Sequence, residues 1–304
     1  MYSLEGIKKG LRHPRFVGQE LNRLRYRRLR TWPYNRAGID VFDQDWDVLL
    51  LLDACRYDLF TSTCELPGET RAVTSRGSAT LEFLRGNFDG RSLLDTVYVT
   101  ASPMLSRHRD AIDVRFHDVV DVWADTGWDS EFKTVRPETV ADEALRARRE
   151  YPKKRLLVHF LQPHYPFLGP TGQAHFDLDS LSFQWEDVAT GRVDVPDDVI
   201  WQAYEENLRL TVPSLERLFE TLEGKLVLSS DHGQVIGERG FPVPIREYGH
   251  PRGIYADELV TVPWHVHTRE PRPEIVAEAP RPETERDHSE GGLARERLEA
   301  LGYV

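Results

Sequence analysis

Lys225 to Gly240 read KLVLSSDHGQVIGERG, and the opening apolar run of this stretch ends abruptly in Ser-Ser-Asp-His-Gly. Two other runs have the same form, namely DVLLLLD, which ends at Asp53, and KRLLVHF, which ends at Phe160. Short apolar runs that end in polar or turn residues are typical of buried strands. Strands that are apolar on both faces are typical of parallel sheets covered by helices.

Helical segments separate these runs along the chain. PETVADEALRARREY precedes the second run, IWQAYEENLRLTVPSLERLFETLE precedes the third, and DTVYVTA is a fourth strand candidate. Strands that alternate with helices indicate an α/β fold. The sequence therefore predicts a doubly wound, mostly parallel sheet with helices on both faces, in a single main domain. The 304 residues are ample for such a core.

Three segments follow from composition: a basic helical segment at 1–32, an α/β catalytic domain at 33–267, and a Pro/Glu/Arg-rich linker with a short C-terminal helix at 268–304. We expect the linker to be poorly ordered and the last helix to end at Gly302.

Residues 1–32 form a basic segment within an acidic protein. Apolar residues recur at helical spacing, and Pro14 is expected to divide the helical pattern into two pieces. These residues are Leu4, Ile7, Leu11, Val17, Leu21 and Leu24. One interpretation is an amphipathic element that contacts an anionic membrane surface. The alternative is a helix pair docked on the acidic body.

Composition narrows the class of protein. The net charge of −11 argues against nonspecific nucleic-acid binding, and together with the excess of Arg over Lys it indicates a salt-adapted or GC-rich source. Cys55 and Cys64 match no zinc spacing and are expected to be reduced thiols. The sequence shows neither a signal-peptide pattern nor an apolar run long enough for a bilayer. These features predict a cytoplasmic protein, with the inner membrane surface as the alternative location.

Each predicted core strand leads into polar residues. Asp53 ends the first, His159 and His164 belong to the second, and Asp231 and His232 follow the third. In open α/β sheets, ligands bind at the carboxyl ends of the strands. Carboxylates with imidazole suit Zn, Mn or Fe, whereas carboxylates alone suit Mg. A strand-end Asp also commonly caps the next helix, but the set together predicts a divalent metal site.

These residues carry a resemblance to the alkaline phosphatase/sulfatase superfamily. LLLLDACRYDLF resembles its opening strand, HFLQPHYPF its mid-chain Pro-His-x-Pro segment, VLSSDHGQVIGERG its Ser-Asp-His-Gly metal motif, and LEALGYV its C-terminal ending. The resemblance implies that Asp53, Asp231 and His232 bind a divalent metal such as Mn, Zn or Mg. It also implies that His164 contacts the transferred group or its leaving oxygen.

The nucleophile of this family is a Ser, a Thr or a formylglycine-forming Cys between the first two motifs. Here that window holds AVTSRGSATLEFLRGNF. The resemblance favours Thr80, with Ser78 as the second candidate, and it leaves Ser75 and Thr74 open. The alternative interpretation of the window is a Gly-Ser turn in which Ser78 caps a helix.

The sequence departs from the family in several places. Neither cysteine has the Cys-x-Pro-x-Arg context of formylglycine sulfatases, and Ala54 replaces a second acid. The ligands of a second metal site are not clearly present. Two-metal members of the family have an Asp four residues before a His, and relative to His164 this position is Phe160. His250 is a candidate late ligand or phosphate contact. Arg56 either binds the anion or forms an ion pair with Asp58.

The resemblance and these departures together predict a metal-dependent hydrolase or transferase that acts on a phosphate ester through Thr80 or Ser78. The substrate is a small molecule or a glycan. The alternatives are a sulfate-ester hydrolase without formylglycine, a degenerate sulfatase-like binding protein, and a membrane-surface transferase that modifies a lipid-linked glycan.

Overall fold

The computed structural model describes residues 14–27, 32–124, 127–176, 184–281, 295–297 and 299–301. The strands are β1 Val48–Asp53, β2 Glu69–Thr74, β3 Arg91–Thr100, β4 Val114–Asp121, β5 Trp128–Asp129, β6 Thr134–Val135, β7 Arg155–Pro163, β8 Gly224–Ser230, β9 Val235–Arg239, β10 Arg246–Gly249 and β11 Thr261–Arg269. The helices are α1 Pro14–Tyr26, α2 Tyr57–Thr63, α3 Thr80–Phe88, α4 Met104–Arg107, α5 Pro137–Glu150, α6 Pro170–His175, α7 Trp185–Thr190, α8 Asp197–Thr221 and α9 Asp257–Val260.

A seven-stranded sheet with the order β2-β11-β8-β1-β7-β3-β4 forms the centre of the protein. Strands β8, β1, β7, β3 and β4 are parallel, whereas β11 pairs antiparallel with both β2 and β8. The four predicted strands are β1, β3, β7 and β8, and the helices predicted before β7 and β8 are α5 and α8. The predicted α/β fold with a mostly parallel sheet is therefore confirmed.

The run of leucines in β1 is explained by the two layers of helices. Side chains alternate across a strand, so Leu50 and Leu52 belong to the core cluster that includes α5 and α8. Leu49 and Leu51 belong to the cluster on the other face, which includes Phe83 of α3. All four leucines are fully buried, and each stabilises the fold by about 1.5–3 kcal/mol.

The N-terminal helix α1 begins at Pro14, where the sequence predicted a break. Proline suits the first turn of a helix because its missing N–H is not needed there. Asn22 is buried, donates to the carbonyl of Val243 (3.0 Å) and accepts from its N–H (2.8 Å). Gly18 lies against the side chain of Val243. This helix is thus docked on the body, and the predicted helical piece at 1–13 lies outside the described residues.

In the part that the structure describes after β11, residues 270–281 differ from the expectation of poor order. The Val276 N–H donates to Lys153 O (2.9 Å), and the Glu278 N–H donates to Leu94 O (3.1 Å). These backbone bonds hold an extended stretch along the body as far as residue 281. Residues 295–297 and 299–300 are helical, and Leu301 is buried in the main core. The predicted helix end at Gly302 lies outside the described residues.

Candidate active site

The polar residues of the two central strands meet at one edge of the sheet. Strand β1 ends at Asp53, and Leu52 pairs with Ser230, the residue before Asp231 and His232. Because β1 and β8 are parallel neighbours, their carboxyl ends lie side by side. Ligand atoms of Asp53, Asp231 and His232 all lie within 4.8 Å of one another, and the three side chains are fully buried. The structure thus brings the three predicted metal ligands together.

The orientation of His232 suits a metal ligand. Its Nδ1 lies 2.7 Å from the carbonyl of Gly233, which only accepts, so Nδ1 carries the proton. The lone pair of Nε2 then points toward Asp53 Oδ1 at 3.5 Å and Asp231 Oδ2 at 3.4 Å. An N–H held by a backbone carbonyl is the usual way in which a protein orients a histidine ligand.

The carboxylates also fit a cation. Asp231 Oδ2 is buried and has no hydrogen-bond partner within the described part of the chain. The carboxylates of Asp53 and Asp231 have oxygen atoms within 4.8 Å of each other. Two buried carboxylates this close repel each other unless a cation or a proton lies between them. A divalent ion bound by these oxygens and Nε2 would polarise a phosphoryl oxygen. The oxygen and nitrogen ligands suit Zn or Mn better than Mg.

The turn after β1 depends on the same aspartate. Asp231 Oδ1 accepts from the N–H of Ala54 (3.1 Å) and from its neighbour His232 (2.8 Å). Ala54 has a φ of 61°, a left-handed conformation that costs a non-glycine residue free energy. Tyr204 of α8 donates its hydroxyl to the Ala54 carbonyl and helps to hold this turn. The motif around Asp53 and the motif around Asp231 are therefore held together by this hydrogen bond between Ala54 and Asp231.

Thr80, the favoured nucleophile candidate of the sequence, lies beside this cluster at the start of a helix. It is the first residue of α3, its side chain is buried, and its Oγ1 lies 3.2 Å from His232 Nε2. The first N–H groups of a helix have no intrahelical partner and favour an anion. Ser75 fixes the preceding loop, because its hydroxyl donates to the backbone carbonyl of Asp231. Thr74 lies one residue earlier, at the end of β2.

Ser78 does not cap α3, which corrects the alternative interpretation of this window. The N-cap is Ala79, which makes no side-chain cap bond. Ser78 Oγ lies 2.8 Å from Glu82 Oε2 and accepts from the N–H of Gly253 (3.0 Å). Glu82 also accepts from the Ser78 N–H (3.1 Å), so the acid of the first helical turn binds this serine. The Ser78 hydroxyl is committed to fixing the loop.

His164 and His250 form a pair of neutral imidazoles beside the cluster. Nδ1 of His164 donates to the Tyr165 carbonyl (2.6 Å), so its Nε2 accepts from His250 Nε2 at 2.9 Å. Burial lowers the pKa of His164 to about 4 and lowers the pKa of His250 well below its ordinary value. The rings of His250 and His232 lie 4.6 Å apart. Both N–H groups of the neutral pair are therefore used in these two hydrogen bonds, and the pair forms a fixed wall beside the cluster.

A buried asparagine on α8 positions the segment around His164. Asn207 Nδ2 lies 2.9 Å from the Pro166 carbonyl and 3.0 Å from the His164 carbonyl. Its Oδ1 accepts from the Leu168 N–H at 2.7 Å. One side chain thus satisfies three backbone groups of the loop that carries His164.

His159, which the sequence analysis placed among the polar strand-end residues without a specific role, lies beside the cluster. It is fully buried, its Nε2 lies 3.8 Å from Asp231 Oδ2, and its Nδ1 lies 2.8 Å from the hydroxyl of Tyr98. A histidine inside an otherwise apolar strand was the sequence signal for it. Phe160, the position of the missing second-site acid, is packed in the core. Asp53, Asp231 and His232 are the one metal-like group within the described ranges.

Arg56 is occupied by acidic side chains. Its guanidinium is paired with Asp58 at 2.6 Å and with Glu238, and it lies over the ring of Trp201 at 4.9 Å. The structure thus forms the Asp58 ion pair that the sequence analysis gave as the alternative to anion binding. With two carboxylates on one guanidinium, Arg56 supports the fold of the loop near the site.

No protein-family model matches the chain, and no curated protein matches it. Among solved structures, it is similar to the C-terminal periplasmic domain of EcEptC from Escherichia coli, with 15% identity and a TM-score of 0.47 over 79% of this chain and 77% of that chain. It is also similar to the C-terminal periplasmic domain of phosphoethanolamine transferase EptC from Campylobacter jejuni, with 14% identity and a TM-score of 0.42 over 74% of this chain and 80% of that chain. A protein in the alkaline phosphatase superfamily from Vibrio parahaemolyticus is similar with 12% identity and a TM-score of 0.43, over 79% of this chain and 64% of that chain.

These structures include a member of the superfamily whose motifs the sequence resembles. The Escherichia coli domain has also been solved in complex with Zn. The predicted cytoplasmic location is contradicted by this comparison, because two of the three structures are described as periplasmic domains. In the part of the chain that the structure describes, no helix has the length and apolarity required to cross a membrane.

Proposed function

We propose that this protein is a metal-dependent hydrolase or transferase that acts on a phosphate ester through Thr80. The observation that carries the proposal is the position of Thr80 Oγ1, which lies 3.2 Å from His232 Nε2 in the carboxylate–imidazole cluster. A hydroxyl beside a cation site at a helix N-terminus is placed for attack on a phosphorus atom.

The residues of the site divide the reaction between them. Thr80 Oγ1 forms the new bond to phosphorus, and the bond from phosphorus to the leaving oxygen breaks. The free N–H groups at the start of α3 stabilise the charge that develops on the phosphoryl oxygens. The departing oxygen takes up a proton from solvent, which balances the proton that the Thr80 hydroxyl releases, and the His164–His250 pair lies beside the cluster where this oxygen leaves. Water or an acceptor alcohol then takes the phosphoryl group from Thr80, which gives hydrolysis or transfer.

The cysteines favour phosphate over sulfate esters. Cys55 is fully buried, and burial raises the pKa of its thiol well above the ordinary value. Burial also raises the pKa of Cys64 to about 12. Neither thiol lies in a formylglycine sequence, so a hydroxyl rather than an aldehyde hydrate is the nucleophile. The aspartates and His232 are the proposed ligands of Mn or Zn.

A substrate panel tests this function. The purified protein with Mn or Zn is expected to cleave a chromogenic phosphodiester or phosphomonoester and to leave the matching sulfate ester uncleaved. An ethanolamine phosphodiester with an added acceptor alcohol separates transfer from hydrolysis. Absence of phosphate-ester turnover with metal bound would favour the degenerate binding protein. Faster cleavage of the sulfate ester would overturn the choice of phosphate.

One surface favours a second candidate, a transferase that acts at a membrane surface. Val17 and Leu21 lie one turn apart on α1 and are 51% and 49% exposed. Arg25, one further turn along, lies over the 55%-exposed ring of Phe241 at 4.3 Å. An apolar stripe with arginine beside it is the pattern of a helix that contacts anionic lipid.

Vesicle binding tests this membrane contact. The protein is expected to sediment with vesicles that contain phosphatidylglycerol and to dissociate as salt is raised. The double variant Val17→Ser with Leu21→Ser should weaken binding by at least about tenfold, because tenfold corresponds to about 1.4 kcal/mol and each buried methylene contributes about 0.8 kcal/mol. Leu210→Ser is the matched control, because Leu210 is 47% exposed on α8. Equal binding by all three proteins would contradict the membrane contact.

A further inference from the structure

The two edges of the central sheet differ in how they are protected. At the β4 edge, the N–H of Arg281 donates to the carbonyl of His117 (2.8 Å), so the segment after β11 lies against this strand. The pairing of β3 with β4 is also irregular, with a register shift between Leu93 and Val97. Covering segments and irregular pairing are two of the ways in which proteins prevent an edge strand from binding another chain.

The opposite edge, β2, shows none of these protections within the described ranges. Its pairing with β11 runs without a register shift from Glu69 to Thr74, and its first four residues are all exposed. The strand contains neither Lys nor Pro, the residues that commonly block pairing at an edge. A regular, exposed edge of this kind is able to accept a further strand.

The backbone groups of β2 that face outward follow from its partner strand. Pro263 of β11 has no N–H and lies opposite Ala72, which fits a pair without ladder hydrogen bonds. The Thr74 carbonyl, two residues later, accepts from the Ile39 N–H (2.9 Å) on the outer side. Because the direction alternates along a strand, the N–H and C=O groups of Thr70 and Ala72 also point outward. Among the described residues, neither N–H has a backbone partner.

The charges of this edge match a second copy of the same strand. If two copies pair antiparallel about a two-fold axis at Thr70, Glu69 of each copy lies opposite Arg71 of the other. Both side chains are exposed, and neither has an ion-pair partner in the part of the chain that the structure describes. An axis at Ala72 would instead place Arg71 opposite Val73, and an axis at Arg71 would place two arginines opposite each other. Opposite charges across a strand pair stabilise it, so the axis at Thr70 is favoured.

We propose that β2 is an interaction surface for a second copy of this chain, whose own β2 pairs with it antiparallel and extends the sheet across a two-fold axis. The two Thr70 residues exchange backbone hydrogen bonds, and the contacts between Glu69 and Arg71 fix the register. Antiparallel pairing places the carboxyl ends of the two sheets, and thus the two candidate active sites, at opposite edges of the joined sheet. The inference is therefore independent of the proposed function.

Sedimentation velocity on the full chain tests this contact. We expect wild type to dimerise within a concentration series that reaches about 100 µM. Glu69→Arg and Arg71→Glu should each raise the dimer dissociation constant by about tenfold or more, because each variant places like charges opposite each other twice. An equimolar mixture of the two variants should dimerise again, since every arginine then faces a glutamate. Arg149→Glu, at an exposed position at the end of α5, is the charge control.

A backbone variant separates strand pairing from a general effect of charge. Ala72→Pro removes an outward N–H and leaves the bonds to β11 in place, so the variant should stay folded and become monomeric. Melting temperatures check that each variant keeps its fold. Wild type that stays monomeric up to about 100 µM, or a dimer that survives Arg71→Glu and Ala72→Pro, would overturn the proposal. Failure of the mixed variants to dimerise would overturn this register. Phosphate-ester turnover enters none of these outcomes, so failure of the proposed function leaves them unchanged.

Discussion

Thr80→Ala is expected to reduce phosphate-ester turnover by at least about 10⁴-fold, the scale on which loss of a nucleophile acts. The physical reason is that Oγ1 is the hydroxyl nearest the ligand atom of His232, at 3.2 Å, and no other side chain on α3 can replace it. Metal content should stay close to that of wild type, because the proposed ligands remain. The measurement is steady-state kcat, together with trapping of a phosphorylated protein and mapping of the modified residue.

Ser78→Ala is the control for this prediction. It removes a buried hydroxyl that contacts Glu82 and Gly253, so we expect a loss of about 1–3 kcal/mol in the free energy of unfolding. Activity should fall by much less than in the Thr80 variant. If the Ser78 variant is inactive and the Thr80 variant is active, Ser78 is the nucleophile. If both variants remain active, no covalent intermediate forms on either hydroxyl.

The central strands could be predicted because a strand that is buried on both faces has a recognisable run of apolar residues. A strand such as β1, buried on both faces, must be apolar at every position, and its polar end is equally visible. Strand β11 was missed, since TVPWHVHTR mixes polar and apolar residues with a proline. Its pairing with β2 and β8 is a long-range antiparallel contact that no local pattern encodes.

The grouping of Asp53, Asp231 and His232 could be predicted because each lies at the end of a recognisable strand, and neighbouring strand ends lie close together. The cap of α3 could not, because the choice between Ser78 and Ala79 depends on where Glu82 and the loop at Gly253 lie. The contact between His159 and Tyr98 was likewise invisible. It joins two strands through side chains that share one face, and this depends on register.

Asp231→Asn is expected to remove metal binding and to reduce turnover by about 10³-fold or more, as loss of a proposed metal ligand should. The substitution keeps the oxygen that accepts from Ala54 and His232, so the turn after β1 should stay intact. Its new amide N–H lies where Asp231 Oδ2 is, 3.4 Å from His232 Nε2, and can donate to that lone pair. The buried site therefore loses one negative charge without losing a hydrogen bond.

The same substitution should change stability in opposite directions with and without metal. In metal-free protein, Asp231→Asn should raise the melting temperature, because it relieves repulsion between Asp231 and Asp53. With metal at about 100 times its Kd, wild type should gain roughly 2.7 kcal/mol, and the variant should gain nothing. Thermal unfolding with and without Mn or Zn measures both effects, and Asp142→Asn, an exposed acid, is the control. A variant that metal still stabilises, or one that is less stable than wild type without metal, would show that Asp231 serves the fold rather than the cation.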